Sequence, residues 1–524
     1  MLNGTFIGVK EGANVFSLER KFEANGATKL TLRATALGVY FAEVNGVRVG
    51  DAYLAPGWTS YNKTLQVQEY DITPLVKEGE NILSLTVNEG WYCGALTWER
   101  KRDTYGKQPA VCADLVADGK RILSTDESWS ARESFIRESG IYDGETQDFT
   151  ADLKPLTPVA VAFDKKALVP QMCELVRTTG RIPVKEVIRT PKGELVYDFG
   201  QNLAGVVEVK TPADFDGTLT LRHAEILVNG NFYTENLRGA KATDTFTCRG
   251  AHTLSAEFTF HGFRYLKVEG ADLPAENITA LVRHTDMKRT GYMQTDNARF
   301  QRLYENVIWG QKGNFVDIPT DCPQRDERLG WTGDINAFCR TAAYNYDIRA
   351  FMKKWLKTLR DDQTADGRIP HVAPDCLEEN RATNAMWCDA VTMVPWALYG
   401  MYGDISFLEE NFPAMEKFIA ARERTMENGL IVRGHEYGDW LAMDGEALLG
   451  NSAIGRTDVY FLTNVLHIHS LKIAADAAHL LGKEKEEKIY RKKYEQHLSR
   501  VREEYITKGG RLAFDTVTAQ TVAL

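Results

Sequence analysis

The first part of the chain alternates apolar and polar residues, which is the period of a half-buried β-strand. In TKLTLRA (28–34) the apolar side chains occupy every second position. In VYFAEVNGVRVGD (39–51) the pair Asn45-Gly46 separates two alternating runs, a pattern that predicts a β-hairpin with a type I′ turn. Residues 1–150 are therefore predicted to form an antiparallel β-sandwich.

Large aromatic residues cluster near the turn-rich stretches of this region. Exposed aromatic rings stack well on sugars, but large aromatics usually serve packing, and we interpret these as core or rim residues of the sandwich. They are Trp58, Tyr61, Trp91, Tyr92 and Trp98.

A second β-rich region follows a segment that contains several prolines. GELVYDFGQNLAGVVEVK (193–210) and EFTFHGFRYLKVEG (257–270) are strand-like runs bounded by Gly, Asn and Asp. Residues 151–286 are predicted to form a linker and a second antiparallel β-domain. His223 and His261 lie on strand-like runs, and we interpret both as structural because neither has a companion at metal-ligand spacing.

Near residue 290 the period changes to that of an amphipathic helix, with apolar residues at i, i+3, i+4 and i+7. About seven such helices follow one another, among them IRAFMKKWLKTLRDDQ (348–363) and DVYFLTNVLHIHSLKIAADAAHLLG (458–482). Repeated helix hairpins with their loops gathered at one end predict an α/α toroid over residues 287–524.

Composition excludes several classes of protein. The net charge of −9 argues against nucleic-acid binding, which depends on Lys and Arg. No run of about 18 apolar residues could span a bilayer, and no secretion signal precedes the first strand, so a cytoplasmic location is expected. The eight cysteines form no CxxC pair and predict reduced thiols. No cofactor or metal is expected, and a homo-oligomer is compatible with the sequence.

The loop DCPQRDERLGWTGD (321–334) packs four carboxylates around one tryptophan. Like charges that lie close together raise the pKa of one carboxyl, and such a group beside Trp331 is suited to act as a general acid. Glycoside hydrolysis needs such an acid to protonate the leaving oxygen, and a second carboxylate as base or nucleophile. The residues by themselves do not distinguish Asp326 from Glu327 as that acid.

Two later loops repeat the pairing of tryptophan with a carboxylate. NAMWCDA places Trp387 two residues before Asp389, and HEYGDW places Asp439 beside Trp440. Tryptophan offers an apolar platform for the C–H face of a sugar ring, although Trp387 could equally belong to the core of a helix. For His371, a role in the site and a role in bracing its loop both stay open.

The run PTDCPQRDERLGWTGD, together with YGDWL downstream, resembles the bacterial α-L-rhamnosidases of glycoside hydrolase family 78. AEVNGVRVGD is similar to their amino-terminal sandwich, and YDFGQNLAGVVEV and FRYLKVEG are similar to their concanavalin-like β-domain. The resemblance implies that the residues after about 290 form the (α/α)6 catalytic barrel.

The resemblance implies an inverting hydrolase that releases α-L-rhamnose from glycosides. By motif position, Glu327 is the general acid, and Asp321 and Arg325 are ligands of the rhamnose hydroxyls. Trp331 is a stacking wall of the substrate pocket. The other residues assigned to that pocket are Asp334, Trp387, Asp439 and Trp440.

In that family the general base is a glutamate on a later loop of a barrel that has ~12 helices. With about seven helices, the chain is expected to be truncated, with the base beyond residue 524, or to be completed by a second chain. Two alternatives to a rhamnosidase are another (α/α)-barrel glycosidase and a non-catalytic rhamnoside-binding protein.

Overall fold

The computed structural model describes residues 2–24, 26–377, 381–444 and 453–524. The chain divides into two compact units. The first consists of Met1–Lys288 and Tyr292–Leu329, and the second of Arg289–Gly291 and Gly330–Leu524. β-Sheets dominate the first unit and helices dominate the second, so the predicted mixed fold class, with β-domains before a helical domain, is confirmed.

Two sheets near the amino terminus form a sandwich. The first contains, in hydrogen-bonded order, Pro158–Val161, Phe6–Val9, Ala110–Ala117, Leu30–Leu37, Leu65–Asp71 and Leu168–Pro170, with Lys120–Ser124 beside Ala110–Ala117. The second contains Pro155–Leu156, Ser130–Glu133, Val15–Glu23, Glu80–Asn88, Val39–Val44 and Val47–Arg48. Ile7 and Leu32 of the first sheet share one buried core with Phe16 and Leu85 of the second.

The predicted hairpin is present between Val39–Val44 and Val47–Arg48. Asn45 and Gly46 have φ angles of 54° and 76°, and a type I′ turn requires positive φ at both positions. The side-chain Nδ2 of Asn45 also donates to Asn81 Oδ1 at 2.8 Å, which fixes the turn to the neighbouring strand. The prediction made from the Asn-Gly pair is confirmed.

Four of the five aromatic residues singled out in this region are buried. The indole rings of Trp58 and Trp91 stack with centroids 5.6 Å apart, and the rings of Tyr61 and Tyr92 meet edge to face at 5.5 Å. Trp98 is 41% exposed. The packing interpretation holds for the four buried rings.

A third, eleven-stranded sheet completes the β-structure of the first unit. Its order is Ile136–Gly140, Gly144–Asp148, Thr243–Arg249, Asp216–Ala224, His261–Glu269, Leu195–Lys210, Ile278–Thr285, Val176–Pro183 and Ala52–Tyr53, with Glu186–Arg189 and Thr253–Leu254 beside Leu195–Lys210. Tyr197, Leu221 and Phe263 lie in its core, against which Trp309 packs. Gly144–Asp148 pairs with Thr243–Arg249 in parallel orientation, and with Ile136–Gly140 in antiparallel orientation.

The helices, labelled in chain order, include all seven that the sequence predicts. They are α1 (Gly90–Cys93), α2 (Ala298–Asn314), α3 (Thr332–Asn345), α4 (Arg349–Asp362), α5 (Ala390–Tyr402), α6 (Ser406–Glu423), α7 (Val459–Leu480), α8 (Glu484–Tyr505) and α9 (Val517–Ala523). Short 3₁₀ turns occur at Thr73–Leu75, Lys165–Ala167, Glu235–Leu237 and Ala275–Asn277. Two-stranded ribbons pair Ile226–Val228 with Asn231–Tyr233, Phe315–Val316 with Ile318–Pro319, Ile369–Pro370 with Arg381–Ala382, and Met426–Glu427 with Leu430–Ile431.

Within the second unit, alternate helices are neighbours: α3 lies against α5, and α5 lies against α7. This arrangement is expected where helix hairpins repeat, because each hairpin places one helix on the same side as the last. In α4 the residues Phe351, Met352, Trp355, Leu356 and Leu359 are buried, so the apolar stripe read from the sequence is the packed face. Among the described residues, no helix combines the length and apolar composition needed to cross a membrane.

Candidate functional site

The acidic loop, defined as residues 321–329, lies between α2 and α3 and belongs to the first unit. The amide of Asp321 donates to Leu329 O at 3.0 Å, and Asp321 Oδ1 accepts the amide of Leu329 at 2.9 Å. These two bonds close the neck of the loop. They also fix the Asp321 carboxyl in place, because one of its oxygens is part of the closure.

Two carboxyl groups of the acidic loop share one guanidinium. Arg325 Nη2 lies 3.2 Å from Asp321 Oδ2 and 3.5 Å from Glu327 Oε2. Burial, together with the nearby charge of Glu327, raises the pKa of Asp321 to about 7. Burial and a like charge held this close both disfavour the ionised form of Asp321. The predicted rise in a carboxyl pKa is therefore found at Asp321.

The second arginine of the loop anchors the backbone. Arg328 is buried and donates to Ile141 O at 2.8 Å and to Phe260 O at 2.6 Å. Burial lowers the pKa of Arg328 to about 10. The hydroxyl of Tyr142 donates to Glu327 O at 2.9 Å. The hydrogen bonds of Arg328 therefore go to backbone carbonyls rather than to the carboxylates of the loop.

A cation from the β-structure, Arg238, pairs with two carboxylates of the acidic loop. Arg238 Nε donates to Asp326 Oδ1 at 3.0 Å, and its Nη2 donates to Glu327 Oε2 at 2.9 Å. The amide of Gly239 donates to Asp326 Oδ2 at 3.2 Å. Both oxygens of Asp326 are thus engaged by the β-structure. Sequence reasoning missed Arg238, since it precedes Glu327 by 89 positions and carries no local signal.

A cavity of about 760 Å³ borders the acidic loop within the first unit. Asp321 and Arg325 line it together with Glu225, Arg264 and Trp309. Burial raises the pKa of Glu225. Three buried polar atoms of its lining have no hydrogen-bond partner among the described residues: Asn314 Oδ1, Gln324 Oε1 and Arg325 Nε. A polar ligand would supply partners for such atoms.

In the second unit, aromatic rings gather around Tyr437. Its ring centroid lies 4.4 Å from that of Trp387, 5.7 Å from that of Trp440 and 6.3 Å from that of Trp331. Trp387 is 9% exposed, whereas Trp440 is 48% exposed. The fold therefore brings together three tryptophans that the sequence places on three different loops.

His371 braces this aromatic cluster. Asn384 Nδ2 lies 3.0 Å from His371 Nε2, and the hydroxyl of Tyr437 lies 2.9 Å from His371 Nδ1. Because an amide nitrogen only donates, Nε2 is the acceptor and Nδ1–H donates to the Tyr437 oxygen. Burial, with a smaller effect of His435, lowers the pKa of His371 to about 4, so the ring is neutral at pH 7. This geometry matches the bracing role.

Asp389 follows Trp387 by two residues in the sequence, but its carboxylate is engaged by residues of other helices. Its carboxylate forms a fully buried ion pair with Arg422, with contacts of 2.6 and 3.0 Å, and accepts Ser470 Oγ at 2.7 Å. Glu436, which the sequence did not single out as a site residue, is buried, and burial raises its pKa to about 7.

The remaining two predicted site residues also belong to the second unit. Asp334 is exposed in the first turn of α3. Asp439 is partly buried, and its Oδ2 has no hydrogen-bond partner within the described part of the chain. The structure thus gathers Asp321, Arg325 and Glu327 within the first unit, and describes Asp334, Asp439 and the three tryptophans within the second.

Two groups of residues in the described ranges have the composition of a metal site. Asp321, Cys322 and Glu327 form the first, but Arg325 Nη2 lies 3.2 Å from Asp321 and 3.5 Å from Glu327, and its positive charge disfavours a cation there. His223, Asp244 and His261 form the second.

The two histidines of that second group lie together in the fold, although neither has a companion at metal-ligand spacing in the sequence. Their rings stack 4.1 Å apart, and His261 Nε2 lies 3.1 Å from both oxygens of Asp244. Burial, with a contribution from His261, lowers the pKa of His223 to about 3. His223 Nδ1–H donates to Ala242 O at 2.9 Å, so this buried group supports a structural role.

Comparison with known proteins gives three family matches in chain order. The α-L-rhamnosidase N-terminal domain matches residues 26–181, and the bacterial α-L-rhamnosidase concanavalin-like domain matches residues 188–284. The bacterial α-L-rhamnosidase six-hairpin glycosidase domain matches residues 288–524.

Several individual proteins are similar over nearly the whole chain. An α-L-rhamnosidase of Streptomyces avermitilis is 36% identical over 549 residues, which cover 99% of this chain and 51% of the relative. The crystal structure of native α-L-rhamnosidase from Aspergillus terreus is 32% identical with a TM-score of 0.94, covering 99% of this chain and 64% of that one. The Streptomyces avermitilis α-L-rhamnosidase complexed with L-rhamnose is 35% identical with a TM-score of 0.90, covering 98% and 50%. The chain spans about half the length of the curated relatives it matches.

Proposed function

Because the chain belongs to the bacterial α-L-rhamnosidase family, we propose that it hydrolyses terminal α-L-rhamnosyl residues of glycosides. The observation that supports this most directly is the buried carboxyl of Asp321 beside Glu327, whose nearby charge, together with burial, raises the pKa of Asp321 to about 7. Cleavage of a glycosidic bond requires a carboxyl that is still protonated at the working pH.

Glu327 is the proposed general acid. Its proton passes to the glycosidic oxygen while the bond from that oxygen to the anomeric carbon breaks, and the electron pair stays on the oxygen. A water molecule attacks the opposite face of the sugar with the help of a second carboxylate, which inverts the configuration. Asp326 is the weaker candidate for the acid, because both of its oxygens accept hydrogen bonds from the Arg238–Gly239 segment.

The other predicted residues are proposed to bind the sugar. Asp321 and Arg325 contact its hydroxyls, as two charged groups that line a polar cavity can do. Trp331, Trp387 and Trp440 offer apolar ring faces, and Asp334 and Asp439 offer carboxylates. The expectations that the general base lies beyond residue 524 and that the protein is cytoplasmic stay predictions.

The test is hydrolysis of p-nitrophenyl α-L-rhamnopyranoside by the chain, with the anomer of the product followed by NMR. We expect release of β-L-rhamnose as the first product, and a fall in kcat of about 10²-fold or more in Glu327→Gln, the range for loss of a general acid. Asp326→Asn is the matched control and should retain more activity. Equal losses in the two variants would contradict the assignment of Glu327.

A non-catalytic rhamnoside-binding protein is the second candidate, favoured by the unpartnered polar atoms in the cavity beside Asp321. Calorimetry with L-rhamnose separates the two candidates. Binding without turnover in the unsubstituted chain would favour the binding protein, whereas turnover that Glu327→Gln abolishes would favour the hydrolase.

A further inference from the structure

The arginine loop, defined as residues 225–242, connects the strands Asp216–Ala224 and Thr243–Arg249 of the eleven-stranded sheet. It is held at both ends. Glu225 accepts the amides of Asn202 at 2.9 Å and of Asn236 at 3.1 Å. The backbone and ring nitrogens of His223 bond to Ala242 O at 3.1 and 2.9 Å. Arg238 therefore projects from a loop that its own sheet fixes.

The backbone at Arg238 is strained. Its φ is 54° and its ψ is −117°, a combination that residues with a Cβ rarely adopt. Such strain persists where the surrounding structure over-determines a residue, and it is concentrated at functional sites. The next residue has no room for a side chain, since a Cβ at Gly239 would lie 2.3 Å from Asp326 Oδ2. Both features allow the loop to approach the acidic loop closely.

The guanidinium of Arg238 bridges two carboxylates that are largely shielded from solvent. The exposed fraction of the side chain is 7% for Asp326 and 12% for Glu327, against 40% for Arg238. Glu327 also faces Arg325, at 3.5 Å, and lies close to Asp321 and Cys322. Of the two guanidinium groups, Arg238 makes the shorter contact with Glu327, at 2.9 Å.

We propose that Arg238 is a positioning residue for the general acid. Its Nη2 holds Glu327 Oε2, so the proton of the acid form is directed to Oε1. After that proton has passed to the glycosidic oxygen, the same contact stabilises the remaining carboxylate. Asp326 serves as the second anchor that keeps the guanidinium in place. This inference rests on the proposed function of Glu327, and it makes the β-domain a contributor to proton transfer.

Leaving-group dependence is the readout that a merely structural role would not change. A 2,4-dinitrophenyl leaving group needs little protonation, whereas a methyl leaving group needs it fully. We expect Arg238→Gln to lower kcat for methyl α-L-rhamnopyranoside at least about tenfold more than for the dinitrophenyl rhamnoside, with KM little changed. Arg238→Lys should recover part of the loss, because it keeps the charge but only one of the two arms.

The matched control is Arg249→Gln on a strand of the same sheet, where Arg249 pairs at the surface with Asp216 at 3.2 Å. This variant should behave like the unsubstituted chain. Equal losses on both substrates, or no loss, would overturn the proposal.

Failure of the proposed function would be visible separately, as absence of turnover in the unsubstituted chain. The contact itself is then tested by thermal unfolding of Arg238→Gln, Glu327→Gln and the double variant. Changes in Tm that are not additive would support the positioning contact. Additive changes would overturn it, whatever the activity of the chain.

Discussion

Gly333 lies directly against the indole ring of Trp387. A Cβ atom at position 333 would be 2.6 Å from Trp387 Cε2 and 2.7 Å from Cδ2, distances that real Cβ atoms do not reach. Gly333, the second glycine of the stretch 321–334, is therefore explained by the close approach of a ring from another loop. Because position 333 carries no side chain, the ring of Trp387, which is proposed to bind sugar, has room to lie there.

Substitution Gly333→Ala should displace Trp387. Because the ring also contacts Tyr437, we expect a lower Tm and an affinity for L-rhamnose reduced by about tenfold, equivalent to ~1.4 kcal/mol. Gly400→Ala in α5 is the control, since a Cβ there meets nothing within 4 Å. Calorimetry and thermal unfolding measure both effects, and unchanged rhamnose affinity in Gly333→Ala would contradict a role of Trp387 in binding.

Asp389→Asn should be strongly destabilising. It leaves the fully buried Arg422 without its anionic partner, and breaking a buried ion pair costs about 3–5 kcal/mol. Glu410→Gln removes the partner of Arg360 at a far more exposed pair and should cost below about 1 kcal/mol. Guanidinium chloride unfolding monitored by circular dichroism compares the two, and similar midpoints would disprove the buried-pair argument.

The raised pKa of the buried Glu436 carboxyl should make the free energy of unfolding depend on pH. Its folded pKa of about 7 exceeds the ordinary 4.5, so its contribution is fully present below pH 4.5 and is lost as the pH rises through 7. At ~1.4 kcal/mol per pKa unit, the loss is about 3 kcal/mol at most. Glu436→Gln stays neutral, and its Tm relative to the unsubstituted chain should increase between pH 4.5 and 8. Glu427→Gln, at an exposed position, should show no such trend.

Gly239→Ala should push the arginine loop away from Asp326. The added methyl group would clash with a carboxylate whose other oxygen accepts a hydrogen bond from Arg238. We therefore expect a clear fall in kcat with only a small fall in Tm. Gly180→Ala on the strand Val176–Pro183 is the control, because its Cβ would meet Val282 at an ordinary 3.5 Å. Steady-state kinetics and thermal unfolding of the two variants measure both effects, and equal kcat values in Gly239→Ala and Gly180→Ala would contradict the prediction.

The sequence by itself determined the order and type of the elements. Alternation predicted the strands on either side of Asn45-Gly46, and the helical period predicted seven helices from α2 to α8. Both signals are local, since each element must present one face to a core regardless of which neighbour supplies it. The stretch 321–334 was likewise singled out as a candidate site, because it packs four carboxylates around one tryptophan.

Only the tertiary structure decided which charges and rings meet. It directs Arg238 to Glu327 across 89 positions, diverts Asp389 to Arg422 and assembles Trp331, Trp387 and Trp440 around Tyr437. The physical reason is that a side-chain contact depends on which strands and helices become neighbours, and on their register. Residue spacing along a chain reports the period of the backbone and its buried face, but not the partner that this face will meet.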